Sequence, residues 1–237
     1  LEQTANAIIG AAYGSAGERC MAISAVIAVD AIAEPLKEIL IQKIETLKIG
    51  PGKDPNNDMG PLITKEHKQK VMDYIESGES SGAELVIDGR EHPITNEGAG
   101  FFLGPTLFDR VSPDMKIYLE EIFGPVLVML RAKNFQQALD LVNNHRFGNG
   151  VAVFTSSGSI AREFTNKVQI GMVGVNVAIP VPLSFYSFGG WKDSIYGSSN
   201  IYGMDGVRFF TKLKTVTTRW PDLNQSSAVD LSMPTVE

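Results

Sequence analysis

The sequence has 237 residues and a formal charge of −6 at pH 7, because 21 Lys and Arg residues stand against 27 Asp and Glu residues. This acidic balance argues against a nucleic-acid-binding protein, which normally carries a basic excess. Hydrophobic residues make up 43% and charged residues 20% of the chain, which is typical of a globular protein with a core and excludes a disordered or collagen-like chain.

Neither a membrane span nor a disulfide is predicted. The longest apolar stretch, residues 21–29, is far shorter than the roughly 20 apolar residues that a membrane-spanning helix requires. Cys20 is the only cysteine, so no internal disulfide can form, and the three histidines are too scattered to predict a metal site. The chain opens at Leu1 without the basic start of a signal peptide, and we expect it to continue a longer sequence.

Helices and strands are predicted to alternate along most of the chain. The helices are predicted from helical periodicity and the strands from β-branched apolar runs. In chain order they are helix 4–15, strand 22–29, helix 34–48 with Pro35 in its first turn, helix 64–77, strand 84–87, strand 101–109, strand 126–131, helix 135–144, strand 150–155, helix 159–168 and strand 172–177. This alternation predicts an α/β fold with a mostly parallel open sheet flanked by helices.

The remaining segments are predicted to be loops or terminal elements. Residues 53–61 and 92–100 are rich in glycine and polar residues, as turns and loops are. After Pro180 an aromatic and glycine-rich stretch without a clear period predicts a long ordered loop, and such loops often carry function. The alternating pattern of residues 212–220 predicts one more strand, before a polar tail over 221–237.

Cys20 is the first candidate for chemistry. It ends a glycine-bounded turn, residues 14–20 (GSAGERC), and Arg19 directly precedes it. A thiol becomes an effective nucleophile when its pKa is lowered, which neighbouring cations and helix N-termini achieve. A lone cysteine beside an apolar run is more often a small buried hydrophobic residue, so the position alone does not decide between the two interpretations.

Two further segments are candidates for ligand contacts. Residues 120–126 (EEIFGPV) place two acidic side chains and an aromatic ring before a buried strand, in the kind of loop that often holds ligands in α/β proteins. Residues 188–192 (FGGWK) combine a flexible backbone with aromatic surface, which suits the wall of a substrate site. Each segment alone is also compatible with ordinary loop packing.

In this order and at these distances, the three segments resemble the catalytic half of the aldehyde dehydrogenase superfamily. The resemblance reaches to about Trp220, and three stretches are most similar to the CoA-acylating methylmalonate-semialdehyde dehydrogenase branch, namely 17–22 (GERCMA), 149–155 (NGVAVFT) and 188–194 (FGGWKDS). It implies an α/β catalytic domain over residues 1–208 and a C-terminal oligomerisation strand and tail over 209–237. The Rossmann-like NAD domain of the family is largely absent from this sequence.

The resemblance also implies a role for each matching residue. Cys20 would attack the aldehyde carbon, its backbone N–H would stabilise the oxyanion, and hydride transfer to NAD would leave a thioester on its sulfur. Glu121 matches the position that holds the ribose hydroxyls of the nicotinamide half of NAD, and Phe123 matches the aromatic residue that packs near its ring. Arg19 would bind the substrate carboxylate through its guanidinium fork, with Phe188 in the substrate wall, but an ordinary salt bridge is an equally good interpretation of Arg19.

By the same resemblance, the full-length protein would oxidise and decarboxylate methylmalonate or malonate semialdehyde to propionyl-CoA or acetyl-CoA, with NAD as cofactor and coenzyme A as co-substrate. We expect the fragment alone to be inactive. Residues 194–199 depart from the SGxGRE run of hydrolytic relatives, which favours the CoA-acylating branch. Two alternatives stay open: a hydrolytic NAD(P)-dependent semialdehyde dehydrogenase that gives a free acid, and a catalytically silent fragment that only oligomerises.

The expected partners are a small semialdehyde substrate and further copies of the chain, with neither nucleic acid nor membrane. In the superfamily the last strand joins subunits, so residues 212–220 would pair with a neighbouring sheet edge in a dimer or tetramer. We expect the protein in the cytoplasm if it is bacterial and in the mitochondrial matrix if it is eukaryotic.

Overall fold

The computed structural model describes residues 1–96, 100–218, 220 and 224. Helices and strands alternate in it as the sequence predicts, and no described helix has both the length and the apolar character needed to cross a bilayer. In chain order the elements are α1 (Glu2–Tyr13), a 3-10 turn (Gly14–Gly17), β1 (Ala25–Val29), α2 (Asp30–Glu45), α3 (Lys65–Ser80), β2 (Glu84–Ile87), α4 (Pro93–Asn96), β3 (Thr106–Asp109), α5 (Lys116–Leu119), β4 (Val126–Ala132), α6 (Phe135–Asn144), β5 (Phe147–Gly148), β6 (Gly150–Val153), α7 (Gly158–Lys167), β7 (Met172–Val175), β8 (Trp191–Lys192) and α8 (Met204–Phe210).

The main sheet has four strands in the order β1-β4-β3-β2. The central strand β4 pairs in parallel with β1 and with β3, while β2 pairs antiparallel with β3 at the edge. Almost every residue of β4 is buried, as its apolar sequence VLVMLRA predicts for a strand covered on both faces. The predicted α/β architecture with a mostly parallel open sheet is therefore confirmed.

The later strands form two small sheets of their own. Strands β6 and β7 pair in parallel, and β5 pairs antiparallel with β8. A second hydrophobic cluster, built on Leu139, Phe164, Val168 and Ile170, packs separately from the large core around the main sheet. The turn before β1 lies between the two cores, since Ala16 belongs to the large one while Met21 lies against Gly150 at the start of β6.

Several predicted boundaries are corrected. Helix α2 begins directly after β1, so Pro35 lies inside the helix rather than in its first turn. Pro35 has no N–H, so α2 lacks one helical hydrogen bond at this position. Residues 92–100, predicted as a loop, contain the short helix α4, and residues 97–99 of that segment lie outside the described residues. The stretch after Pro180 contains β8 and α8 as well as loop.

The strand predicted over 212–220 is not formed by the single chain. Residues 211–218 are exposed and adopt no regular structure, and Arg219 lies outside the described residues. A strand requires a neighbouring edge to receive its backbone hydrogen bonds, and residues 212–218 pair with none of the strands in the described part of the chain. Of the predicted polar tail over 221–237, only Asn224 is described.

Candidate active site

Cys20 lies at the end of a turn with an unusual backbone. Ser15 and Ala16 both have φ of 54°, and Gly17 follows with φ of 72°. Consecutive residues in the left-handed region are rare for L-amino acids, and such conformations cluster at functional sites. Cys20 itself is exposed, so its interpretation as a buried hydrophobic residue is wrong.

The turn that carries Cys20 meets the segment of residues 120–126 at two glycines. A Cβ atom built on Gly17 would lie only 2.1 Å from the carbonyl oxygen of Gly124, so no larger residue fits there. This close approach places the segment that contains Glu121 and Phe123 directly against the Cys20 turn. The structure thus brings together two of the three segments that the sequence singled out.

Glu121 and Phe123 are both accessible on this segment. The side chain of Glu121 is exposed and that of Phe123 is 37% exposed, whereas Ile122 between them is buried. Phe123 has φ of 59°, and its carbonyl oxygen accepts a hydrogen bond of 2.6 Å from Nε2 of His67. The segment therefore presents one carboxylate and one ring from an anchored backbone.

Glu18, two residues before Cys20, is a feature that the sequence did not predict. Its side chain is only 9% exposed, and its Oε1 lies 3.6 Å from Nε2 of His67. Burial raises the pKa of Glu18, against the opposing effects of a hydrogen bond from the backbone of Ile63 and the charge of His67. Since His67 contacts both Glu18 and Phe123, it connects the Cys20 turn with the neighbouring segment.

Arg19 lies on the outer side of the turn. Its Nε donates a 3.1 Å hydrogen bond to Oγ of Ser15, and its guanidinium covers Gly14, where a Cβ atom would come within 2.8 Å of it. Within residues 1–96 and 100–218 no ion pair includes Arg19, so the salt-bridge interpretation has no support in this range. Its terminal nitrogens have no hydrogen-bond acceptor in the same range, and its role toward a substrate stays a prediction.

Asn149 was not predicted as a site residue, although it belongs to one of the similar stretches. Its Nδ2 donates to the carbonyl oxygen of Cys20 at 2.9 Å and lies 3.1 Å from the sulfur of Met21. The Cα atom of Asn149 would lie 3.1 Å from a Cβ built on Gly190. Asn149 therefore joins the Cys20 turn to the third segment, which contains Phe188.

The third segment is partly structural. The half-buried ring of Phe188 packs on Tyr202 with a centroid separation of 5.4 Å. Nζ of Lys192 donates to the carbonyl oxygens of Asn143 and His145 at 2.8 and 3.0 Å, which ties the segment to the end of α6. In the described part of the chain no hydrogen bond or ring contact joins Phe188 to Cys20 or Phe123, and its substrate role stays a prediction.

Comparison with known families decides how this arrangement is classified. The model of the aldehyde dehydrogenase family matches residues 1–216, which is most of the chain. The chain belongs to the aldehyde dehydrogenase family. The predicted superfamily and fold class are thereby confirmed, and the Cys20 turn is the part of this aldehyde dehydrogenase chain on which its candidate site centres.

Individual aldehyde dehydrogenases are similar to it along its length. Malonate-semialdehyde dehydrogenase of Pseudomonas aeruginosa is 49% identical over all 237 residues, which cover 48% of that relative. A protein of Sinorhizobium meliloti 1021, described as a candidate methylmalonate-semialdehyde dehydrogenase and solved with NAD, is 52% identical, with a TM-score of 0.90 over 93% of this chain and 45% of that one. Methylmalonate-semialdehyde dehydrogenase of Oceanimonas doudoroffii is 49% identical, with a TM-score of 0.90 over 93% and 46% of the two chains. The chain thus spans about half the length of these relatives.

Proposed function

We propose that this chain is the catalytic part of an NAD-dependent semialdehyde dehydrogenase that acts through Cys20. The observation that carries the proposal is the contact between Gly17 and Gly124, which packs the exposed Cys20 turn against the segment of Glu121 and Phe123. A nucleophile beside a carboxylate and an aromatic ring suits an enzyme that must hold a dinucleotide next to a reacting aldehyde.

The residues on this segment fit half of an NAD molecule. The exposed carboxylate of Glu121 would accept hydrogen bonds from two ribose hydroxyls, and the accessible ring of Phe123 would lie beside the nicotinamide. NAD, when bound, would accept a hydride, so that the carbon attached to the sulfur of Cys20 becomes a thioester. The relative from Sinorhizobium meliloti 1021 that was solved with NAD supports the choice of NAD as the cofactor.

Cys20 would supply the covalent step. Its sulfur attacks the aldehyde carbon, a C–S bond forms, and the carbonyl oxygen takes up the negative charge. The backbone N–H of Cys20 would donate to that oxygen, and the bond from Asn149 to the carbonyl of Cys20 holds the following peptide in place. Once the acyl group has lost CO2, the thiol of coenzyme A would displace it from the sulfur of Cys20, which regenerates the free Cys20.

The exposed guanidinium of Arg19 supports a substrate that carries a carboxylate. A planar fork of N–H donors matches a carboxylate with two parallel hydrogen bonds. In the thioester of malonate or methylmalonate semialdehyde, this carboxylate lies β to the carbonyl carbon. Loss of CO2 therefore leaves an enolate that the thioester stabilises, and protonation followed by transfer to coenzyme A would give acetyl-CoA or propionyl-CoA.

Exposed apolar side chains support a further proposal, that copies of the protein assemble as a dimer or tetramer. Leu213 and Val216 lie in the extended segment 211–218, and Phe209 and Phe210 precede it on α8, all four exposed in the single chain. Pairing of this segment with a sheet edge of another copy would supply its missing hydrogen bonds. Sedimentation of the full-length protein tests this proposal, and a clean monomer would contradict it.

The decisive experiment is NADH formation by the full-length protein with malonate semialdehyde, with and without coenzyme A, followed by mass analysis of the product. We expect turnover only with coenzyme A, acetyl-CoA as product, and no turnover for Cys20→Ala. Turnover without coenzyme A that yields a free acid would replace the proposal by the hydrolytic alternative. NADH formation by Cys20→Ala would overturn the role of Cys20.

A second measurement isolates the nucleophile. Cys20 is the only cysteine of this chain, so alkylation of the 237-residue chain by iodoacetamide reports on it alone. We expect Cys20 to react near pH 7 faster than free cysteine under the same conditions. Reaction at or below the rate of free cysteine would favour the catalytically silent fragment, and Cys20→Ser gives the unlabelled background.

A further inference from the structure

We infer that His67 and Tyr74 are positioning residues, which hold the segment of residues 120–124 so that Glu121 and Phe123 can bind NAD. The inference rests on the proposed function, because that function assigns NAD to Glu121 and Phe123. It assigns α3 (Lys65–Ser80), an element outside the three sequence motifs, to the geometry of the cofactor site.

One face of α3 contacts the segment along its length. His67, Val71 and Tyr74 are spaced at i, i+4 and i+7, so their side chains lie on the same face of the helix. Nε2 of His67 bonds the carbonyl oxygen of Phe123 at 2.6 Å, and the hydroxyl of Tyr74 donates to Oε2 of Glu120 at 2.7 Å. These two bonds bracket Glu121 from either side.

Val71 closes the space between these two hydrogen bonds. It is fully buried, and a Cβ atom built on Gly124 would lie 2.6 Å from its Cγ2. The segment is therefore pressed onto α3 at Gly124, next to Phe123. On its other side, Gly124 meets Gly17 of the Cys20 turn, so a shift of the segment would disturb that turn as well.

Tyr74 is suited to act as a permanent donor. It is 6% exposed, and burial, followed by the hydrogen bond to Glu120, raises the pKa of Tyr74 to about 12. Its hydroxyl therefore keeps its proton at neutral pH and can donate to the carboxylate. Nζ of Lys116 lies 4.8 Å from the centre of its ring, which further fixes the ring.

His67 holds the strained residue of the segment. A carbonyl oxygen only accepts hydrogen bonds, so Nε2 of His67 carries the proton in its bond to Phe123. Phe123 has φ of 59°, a conformation that is costly for a residue with a bulky side chain. Without the bond, we expect Phe123 to relax to an ordinary φ, which would turn its ring and displace Glu121.

The backbone of His67 is itself fixed. Its N–H donates to Oγ1 of Thr64, the N-cap of α3, at 3.1 Å. The cap thus holds the first turn of the helix and fixes the backbone from which the His67 side chain projects. A rigid helix that bonds a strained loop at two points is the arrangement required to preorganise a binding site.

The test uses Tyr74→Phe, His67→Ala and His67→Gln in the full-length protein. Tyr74→Phe removes only the hydroxyl, and His67→Gln keeps an N–H donor at a similar reach. Gln69→Ala is the matched control on the same helix, because the Gln69 amide donates to Asp73 at 2.8 Å rather than to the segment. Two quantities are measured: amide hydrogen exchange of residues 119–126 without NAD, and the Kd for NAD.

We expect Tyr74→Phe and His67→Ala each to raise the Kd for NAD about tenfold and to speed exchange of the segment by a similar factor, since each removes one of the two hydrogen bonds between α3 and the segment. The Kd for NAD and the exchange rate of the segment in His67→Gln should lie within about twofold of the wild-type values. Both quantities in Gln69→Ala should equal those of the wild type. Exchange and Kd values equal to those of the wild type in both Tyr74→Phe and His67→Ala would overturn the inference.

The proposed function fails in a different way. If the wild type does not bind NAD, the assignment of Glu121 and Phe123 to NAD is lost, and with it the inferred purpose of α3, while the exchange data still show whether α3 holds the segment. If His67→Ala does not fold, Tyr74→Phe decides, because it removes a single oxygen atom. Faster exchange without a change in the Kd for NAD would also refute the inference.

Discussion

The side-chain amide of Asn149 donates a hydrogen bond of 2.9 Å to the carbonyl oxygen of Cys20. Asn149 directly precedes β6, which belongs to the smaller core, whereas the Cys20 turn is anchored in the larger one. The bond therefore joins the two packed regions of the chain at the candidate nucleophile. It also fixes the orientation of the peptide that follows Cys20.

Loss of this bond should impair catalysis without affecting cofactor binding. We expect Asn149→Ala to lower kcat of the full-length protein about tenfold, because the Cys20 backbone gains freedom and the sulfur is less often in position to react. The Kd for NAD should stay at the wild-type value. Measurement of both constants, with hydride transfer followed as NADH absorbance, checks the prediction.

Asn143→Ala is the matched control for this substitution. The Asn143 amide also donates to a distant carbonyl oxygen, that of Lys167 at 3.0 Å, but this bond joins the ends of α6 and α7 and does not involve Cys20. Asn143→Ala should lower stability and leave kcat unchanged. Equal kcat values for Asn149→Ala and the wild type would contradict a role of Asn149 at the nucleophile.

Gly17→Ala should destabilise the chain far more than Gly82→Ala. Both glycines have positive φ, 72° and 88°, so both substitutions carry the left-handed penalty of about 1–2 kcal/mol. Only Gly17 also has an atom in the way, the carbonyl oxygen of Gly124 at 2.1 Å, whereas a Cβ on Gly82 meets nothing within 4 Å. Urea denaturation of the two variants measures the difference, and equal losses would show that the turn and the segment are not in tight contact.

Asp109 is expected to be a main source of stability in the main sheet. Its side chain is fully buried at the end of β3, where it bonds Arg131 and lies 3.2 Å from Nζ of Lys37. Because Asp109→Ala leaves two cations facing a buried gap, we expect it to lower the free energy of unfolding by about 3 kcal/mol. Asp140→Ala, which removes an exposed carboxylate bonded to Gln136, should change it by less than about 0.5 kcal/mol.

The same carboxylate predicts the acid sensitivity of the fold. Burial acts to raise the pKa of Asp109, but the hydrogen bonds from Arg131, the Arg110 backbone and Lys37 outweigh it and hold the pKa below its usual value of 3.8. Because the pKa of Asp109 is lower in the folded state than in the unfolded state, the charged carboxylate stabilises the fold. This contribution is fully present above pH 3.8 and is lost as the pH falls through the folded-state pKa. Unfolding free energies below pH 3.8 should therefore fall less steeply for Asp109→Asn than for the wild type, and parallel curves would contradict this.

Arg19 should discriminate between aldehydes with and without a carboxylate. We expect Arg19→Lys to raise KM for malonate semialdehyde about tenfold, because an ammonium group keeps the charge but lacks the bidentate fork. KM for propionaldehyde, which has no carboxylate, should change by less than about twofold. Steady-state kinetics with both aldehydes tests this, and equal increases for both would assign Arg19 a general structural role.

Local patterns predicted much of the fold. Helix α6 begins and ends at the predicted residues, Phe135 and Asn144, because its periodicity and its N-cap Asn134 are both local signals. Strand β4 was recognisable from a continuous apolar run. The sequence predicts a later start for α2, with Pro35 in its first turn, whereas the helix begins directly at the end of β1.

The residues of the candidate site also divide into those that a local sequence pattern reveals and those that only a distant contact reveals. Cys20, Arg19, Glu121 and Phe123 could be singled out because each lies in a contiguous motif. No such signal marks His67 and Tyr74, whose bonds to the motif segment span 56 and 46 residues of sequence. The near-burial of Glu18 was equally invisible, because burial depends on which distant surface covers a side chain.

The sequence by itself determined the family, the alternation of helices and strands, and the motif residues, because short-range periodicity and contiguous motifs encode all three. The tertiary structure alone decided that Gly17 meets Gly124, that α3 holds the Glu121 segment, and that Asn149 reaches Cys20. Each of these contacts joins residues far apart in the chain. Their partners are set by how the packed elements meet, which no local pattern specifies.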